Sequence, residues 1–361
     1  MTSTIAQVLL AWYAEHARDL PWRRQRDPYA VWVSEVMLQQ TRAETVVPYY
    51  LRWMDHFPTV EALAAASRDD VLGMWEGLGY YRRAHNLHQA AQILVAEYDG
   101  KLPGEVDKLS HLPGIGPYTA AAIAAIAFNQ DVIAIDGNLR RVISRLIDLA
   151  INPRSSEGER RLRSWALKEC PSGQLSFFNQ ALMDLGAMVC VPRTPNCGVC
   201  PLARSCLAFQ RGVQDARPVR SPRRQIPHIT AAAAVLRRGE RVLIGRRPEG
   251  VLLGGLWEFP GGRLEAEESL ESCLRREIGE ELGVEVEVGA KRGAYDHAYT
   301  HFRVTVHAFE CTLIRGEPQA IEHTEIRWVS PERLKDYPMG KIDRSIAHTI
   351  LEDTDQLSVD G

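Results

Sequence analysis

Apolar side chains recur at helical spacing through the first half of the chain. Between Pro28 and Gln40, residues Tyr29, Trp32, Val33, Val36 and Met37 follow the i, i+3, i+4, i+7, i+8 pattern of one buried face. Glu35 falls off that stripe. The spacing repeats as Leu139, Val142, Ile143, Leu146 and Ile147, with Asp136, Gly137 and Asn138 at the helix start. The period then changes. AAAAVLRR, a glycine turn and RVLIGRR predict a β-hairpin, and EVEVGAKR and HFRVTVHAFECTLI predict further strands around one Glu-rich helix. The pattern therefore predicts a mostly α domain followed by a smaller α/β domain, with no internal repeat.

Length and charge sharpen that division. The chain has 361 residues, too many for one ordinary compact domain, and its 45% hydrophobic content excludes a disordered chain. Residues 1–228 carry 26 Lys and Arg against 22 Asp and Glu, whereas residues 229–361 carry 17 against 24. Between them, Arg211 to Thr230 holds five arginines and three prolines that interrupt any periodicity, which reads as a basic connector. A basic connector suits a polyanion partner and equally suits a solvated linker. The longest apolar run, Ala120 to Phe128, is about half of the ~20 residues needed to cross a bilayer, and the N-terminus lacks a basic region ahead of an apolar core. No membrane association is expected. The seven cysteines are an odd number with four clustered between 190 and 206, which predicts a reducing, cytoplasmic setting.

Two motifs carry chemistry. Cys190-x6-Cys197-x2-Cys200-x5-Cys206 places four thiols within seventeen residues, enough to close an all-thiolate cage. A single close knuckle flanked by wider gaps fits a [4Fe-4S] cluster better than the paired knuckles of structural zinc, which remains the alternative. The second motif is Leu112-Pro-Gly-Ile-Gly-Pro-Tyr-Thr119, ahead of a helix of small residues. Glycines at 114 and 116 allow a tight turn that aims backbone N–H groups at phosphate oxygens from a helix N-terminus, and the segment reads as a helix-hairpin-helix.

The hairpin, the Asp136-Gly-Asn138 segment some twenty residues later and the cysteine loop together resemble the endonuclease III superfamily of DNA glycosylases over about residues 5 to 210. Ser34-Glu-Val-Met-Leu-Gln-Gln-Thr41 and Trp75-Glu-Gly-Leu-Gly-Tyr-Tyr81 are similar to segments of its MutY-type adenine glycosylases. That resemblance implies double-stranded DNA as partner, with adenine opposite 8-oxoguanine or guanine as substrate, and a monomer. It implies a helical glycosylase domain at 1–210 with its cluster loop at 190–206, a linker at 211–228 and an 8-oxoguanine-reading domain at 229–361.

Excision needs one acid and one anion, because adenine leaves poorly until protonated and its departure leaves positive charge on the sugar. The resemblance gives these roles to Glu35, as the acid, and to Asp136, as the carboxylate that stabilises the oxocarbenium ion. Asn138 orients Asp136, and Tyr118 lines the same pocket. Read singly, Glu35 could be solvated and Asp136 could be an N-cap. Tyr118 stands where bifunctional relatives carry a Schiff-base lysine, so a monofunctional enzyme is expected. A flipped base leaves a gap in the helix. The resemblance assigns that gap to Tyr80, as a wedge beside the oxidised guanine, with Leu78 nearby and Gln40 reaching in from the Glu35 helix. Trp22 and Arg23 are candidates for lining the adenine pocket.

Residues 229–352 resemble a Nudix fold. Tyr299-Thr300-His301 occupies the place of a Phe-Ser-His loop that reads 8-oxoguanine in MutY-type enzymes, keeping an aromatic face and a hydroxyl. Gly262 to Val284 also carries a complete Nudix box. Glu277 and Glu281 are one helical turn apart with Glu280 beside them, a pattern able to share Mg2+ with a diphosphate. The box is therefore either a structural helix with an acidic face or, alternatively, the site of a second, Mg2+-dependent hydrolysis of nucleoside diphosphate-type substrates.

Overall fold

The computed structural model describes residues 4–220, 226–299 and 301–359. Internal contacts divide the chain into two units, Met1–Ala65 with Asn86–Arg223, and Ala66–His85 with Arg224–Gly361. Residues 66–85, which lie within the helical half of the sequence, thus group with the C-terminal strands.

The first unit is helical. Asp27 caps the helix Pro28–Met37 by accepting from Ala30 N at 2.8 Å, and Pro28 occupies the first turn, where no amide donor is needed. Every residue from Tyr29 to Met37 is buried. The sequence pattern predicts only one buried face here. The helix is instead enclosed all round, which takes Glu35 out of water although it lies off the apolar stripe.

The helix Gly137–Leu146 sets Leu139, Val142, Ile143 and Leu146 into a core shared with Phe178, Leu182 and Leu185 of the helix Leu175–Met188. Its opposite side is also covered, since Arg141, Ser144 and Arg145 are all buried. The hairpin consists of the short helix Val106–Ser110, the Pro-Gly-Ile-Gly turn and the helix Pro117–Ile126. Ala120 to Ala125 are buried throughout, small side chains that let neighbouring helices approach closely.

Among the described residues, the second unit contains a seven-stranded sheet. Its strands are β1 (His228–Arg238), β2 (Arg241–Arg246), β3 (Trp257–Glu258), β4 (Gly261–Arg263), β5 (Glu285–Ala298), β6 (Arg303–Arg315) and β7 (Glu325–Val329). The main path runs β3-β2-β1-β6-β5, with β4 paired to β1 and β7 to β2. The expected hairpin forms, Arg238 facing Arg241 across the turn. Most of β1, however, pairs in parallel with β6, from His228 opposite Arg303 to Arg237 opposite Thr312. A parallel pair buries both faces. On β1, Ala232, Ala234 and Leu236 face the Glu-rich helix Leu270–Leu282, while Ala233 and Val235 join the core that includes Ile346 and Ile350 of the helix Lys341–Val359. The two-residue period of a strand thereby feeds two helix layers from one near-continuous apolar run.

Candidate active site

Glu35 is 5% exposed and its Oε2 accepts a hydrogen bond from the Tyr118 hydroxyl at 2.9 Å. Tyr118 stands in the first turn of the helix that follows the hairpin, so the hairpin geometry fixes the phenol against the carboxyl. Burial pushes the Glu35 carboxyl up to about 7, the phenol bond opposes that rise, and the negative charge of Asp136 adds to it. Arg23 pulls the other way.

Asp136 is the N-cap of the helix Gly137–Leu146. Its Oδ1 accepts from Leu139 N at 2.7 Å and its Oδ2 from Asn138 Nδ2 at 2.9 Å. Desolvation raises the Asp136 carboxyl from its ordinary value, while the Leu139 and Asn138 bonds and the nearby Arg141 charge oppose that rise. The two carboxyls, Glu35 buried and Asp136 half-buried, therefore have different surroundings. One is held by a single phenol, the other by two N–H donors at the positive end of a helix.

Behind Asp136 the structure continues to the cysteine loop. Arg141 Nη2 donates to Asn138 Oδ1 at 2.9 Å and to Gly186 O at 2.7 Å, and its Nε donates to Cys190 O at 2.7 Å. Arg145, one turn on and 1% exposed, donates to the carbonyls of Val191, Pro192, Gln214 and Arg217 and to Cys190 Sγ at 3.2 Å. Cys190, Cys197, Cys200 and Cys206 line one cavity with Arg145. Burial is the leading cause that raises the Cys197, Cys200 and Cys206 thiols, and the neighbouring cysteines add to it.

The hairpin turn is tightly seated. Gly114 has φ +77°, and a Cβ there would lie 2.7 Å from Asn86 Cβ, so both backbone conformation and space require glycine. Gly116, the N-cap residue, has open space around it. Gln39 Nε2 donates to Thr119 Oγ1 at 3.1 Å, while Gln40 is exposed with φ +58°. Trp22 is buried edge-on to Tyr50, and Arg23 forms a two-pronged pair with the buried Asp184 at 2.7 and 3.0 Å.

In the second unit, Leu78 is buried whereas Tyr80 is 46% exposed with φ +52°. Tyr299 packs between His297 and Phe302, its amide donates to Phe302 O at 2.9 Å, and His301 is exposed. Thr300 lies outside the described residues. Arg276 bonds Glu268, Glu277 and Glu280, and Glu281 Oε2 accepts from Gly261 N at 2.9 Å. Among the described residues, no three His, Cys, Asp or Glu side chains are arranged to hold a single metal ion.

Residues 33–167 match the model of the HhH-GPD superfamily of base excision DNA repair proteins, and residues 231–349 match that of the NUDIX domain. An adenine DNA glycosylase of Buchnera aphidicola subsp. Schizaphis graminum is 33% identical over 258 residues, covering 71% of this chain and 74% of that relative. The chain belongs to the adenine DNA glycosylase family. The adenine DNA glycosylase of Homo sapiens is 37% identical over 317 residues, 73% of this chain and 58% of the relative. The chain spans about three fifths of the length of the human, mouse and rat adenine DNA glycosylases. The structure of a thermostable thymine-DNA glycosylase aligns with a TM-score of 0.53 at 28% identity, covering 57% of this chain and 95% of that one.

Within this adenine DNA glycosylase family member, the sequence motifs name Glu35, Tyr118, Asp136 and Asn138 as candidates but not the residues that hold them. Asp184, Arg141, Arg145 and Gly186 stand in none of the motifs. Arg141 and Arg145 carry a weak signal, two arginines four apart on the polar side of the Asp136 helix. A Cβ on Gly186 would lie 2.7 Å from Asn138 Cβ, so glycine there lets the two helices close around Asn138.

Proposed function

We propose that this chain is a monofunctional base-excision repair enzyme that hydrolyses the N-glycosidic bond of adenine opposite 8-oxoguanine or guanine in duplex DNA. The observation that carries the reading is a pair of desolvated carboxyls, the buried Glu35 on Tyr118 and the half-buried Asp136 at a helix N-terminus. With its carboxyl pushed up to about 7, Glu35 is substantially protonated near neutrality and serves as the general acid. It donates a proton to N7 of the everted adenine. The C1′–N9 electron pair leaves with the base, and the Asp136 carboxylate offsets the positive charge left on the sugar. Glu35, now ionised, takes a proton from the water that attacks C1′. Tyr118 has no amine to form an imine, which supports base loss without strand cleavage.

The amides at Gly114 and Gly116 hold backbone phosphate, Gln40, Leu78 and Tyr80 act on the stack around the everted base, and Tyr299, Thr300 and His301 read the oxidised guanine. The layout is a glycosylase domain over 1–210, a linker over 211–228 and a base-reading domain over 229–361 with which residues 66–85 group, in a cytoplasmic monomer. Seven cysteines, none of them in a disulfide, suit that compartment.

The cysteine loop suits a [4Fe-4S] cluster held by Cys190, Cys197, Cys200 and Cys206. The fit rests on Arg145, a buried guanidinium whose bonds go to carbonyls and one thiol sulfur, so an anionic group in that cavity supplies its countercharge. When bound, the cluster cross-links the loop and neutralises Arg145. The Nudix-box carboxylates are engaged by Arg276 and Gly261, which supports a structural acidic helix ahead of Mg2+-dependent hydrolysis.

Single-turnover excision on A:8-oxoguanine and A:G duplexes without divalent metal tests the reading. Adenine release with little strand cleavage is expected, and Glu35→Gln is expected to abolish release while binding persists. Release that survives Glu35→Gln would overturn it.

A further inference from the structure

The loop that carries Tyr80 is unusual in its backbone. Gly77, Gly79 and Tyr80 all have positive φ, at +91°, +73° and +52°, and Tyr80 does so without glycine's freedom while remaining 46% exposed. Such a conformation persists only when neighbours over-determine it. Within the loop, Trp75 Nε1 and Arg83 Nη2 both donate to Gly79 O at 3.0 Å.

The Arg83 guanidinium also lies over the Tyr80 ring, 5.3 Å from its centroid, and further restraints come from the C-terminal part of the same unit. Arg344, near the start of the last helix, grips Glu76 with two hydrogen bonds, Nε to Oε1 at 2.5 Å and Nη2 to Oε2 at 3.0 Å. Arg344 is itself fixed by donation to Leu334 O at 2.8 Å and Tyr337 O at 2.5 Å. On the other side of Tyr80, the Tyr81 hydroxyl donates to Met339 O at 3.1 Å and accepts from Gly77 N at 3.3 Å. The segment's earlier end is tied by ion pairs of Arg68 with Glu249 and of Asp69 with Arg246.

We propose that Arg344 and Tyr81 are positioning residues that make the Nudix unit the platform for Tyr80, so that the unit acts on mispair selection through the wedge loop as well as through its own base-reading loop. The two anchors, at 76 and 81, bracket the strained residues. A bidentate pair at partial burial, with side chains 19% and 23% exposed, constrains direction as well as distance. The inference rests on the reading of Tyr80 as the residue inserted beside the oxidised guanine.

The test uses the full-length protein and single-turnover excision on A:8-oxoguanine and A:G duplexes, with Tyr80→Ser, Glu76→Gln, Arg344→Gln, Tyr81→Phe and the double variant of 76 and 344. Glu76→Gln and Arg344→Gln are each expected to lower the preference for A:8-oxoguanine by on the order of tenfold. The A:G rate and the thermal midpoint are expected to hold. The double variant should be no worse than either single, and Tyr81→Phe should act in the same direction. Equal loss on both mispairs in step with a falling midpoint would reduce the anchors to a structural role and overturn the proposal. If Tyr80→Ser loses the preference while the anchor variants keep it, the platform idea fails and the wedge reading stands. A preference that survives Tyr80→Ser removes the wedge reading, and the proposal with it.

Discussion

The Tyr118 hydroxyl donates at 2.9 Å to Oε2 of Glu35, a residue only 5% exposed. A donor to a carboxylate favours its ionised form, so this bond restrains a carboxyl that burial drives upward. Tyr118→Phe removes the restraint. Excision needs Glu35 protonated and therefore fails as pH rises through its pKa. The alkaline limb of the single-turnover pH profile is expected to move to higher pH by about one unit, given the ~1.5–3 kcal/mol of a hydrogen bond to a charged group. An unmoved or acid-shifted limb would contradict the assignment.

The same carboxyl makes stability depend on pH. Glu35 titrates near its ordinary value of 4.5 when unfolded and at about 7 when folded. Across that window the folded chain holds the extra proton, so stability is fully present below the lower value and is lost as pH rises through the upper one. Glu35→Gln removes this slope. Thermal melts at pH 8 should show the variant more stable than the parent, by about 3 kcal/mol at most, with no advantage at pH 4.

Asp136 serves a helix and a reaction at once, and two substitutions separate the roles. Asparagine caps as well as aspartate, so Asp136→Asn is expected to keep stability within about 0.5 kcal/mol. Asp136→Ala should lose about 1 kcal/mol of helix capping. Both should lower excision at least a hundredfold, on the scale of a general catalytic group. A difference in excision that merely follows the difference in melting would reduce Asp136 to a cap.

Gly186 sets the space for Asn138. A methyl group there must displace Asn138, or the backbone that carries Asp136, because its nearest neighbour would lie at 2.7 Å. Gly186→Ala is expected to cost about 1–3 kcal/mol from overpacking. A catalytic group misplaced by about an ångström can lose a hundredfold in rate. A reduced maximal rate with substrate affinity unchanged is the pattern to look for in titrated single-turnover assays.

Local sequence determined a great deal here. The hairpin turn, the Asp136 cap and the cysteine spacing depend on residues within a few positions of each other, where glycine conformation, capping preference and loop length act without distant help. The two-domain division is likewise visible because helical and strand periods differ along the chain.

Tertiary structure alone decided the rest. Glu35 falls on the polar side of its helix by periodicity, and only the enclosing helices desolvate it. Arg141 and Arg145 look like surface charges until carbonyls of the Gly186 and Cys190 region close over them. The pairing of β1 with β6 joins strands more than sixty residues apart, and the grouping of residues 66–85 with the C-terminal unit joins still more distant segments. Burial and long-range pairing are properties of what the rest of the chain places alongside, and no local window contains that information.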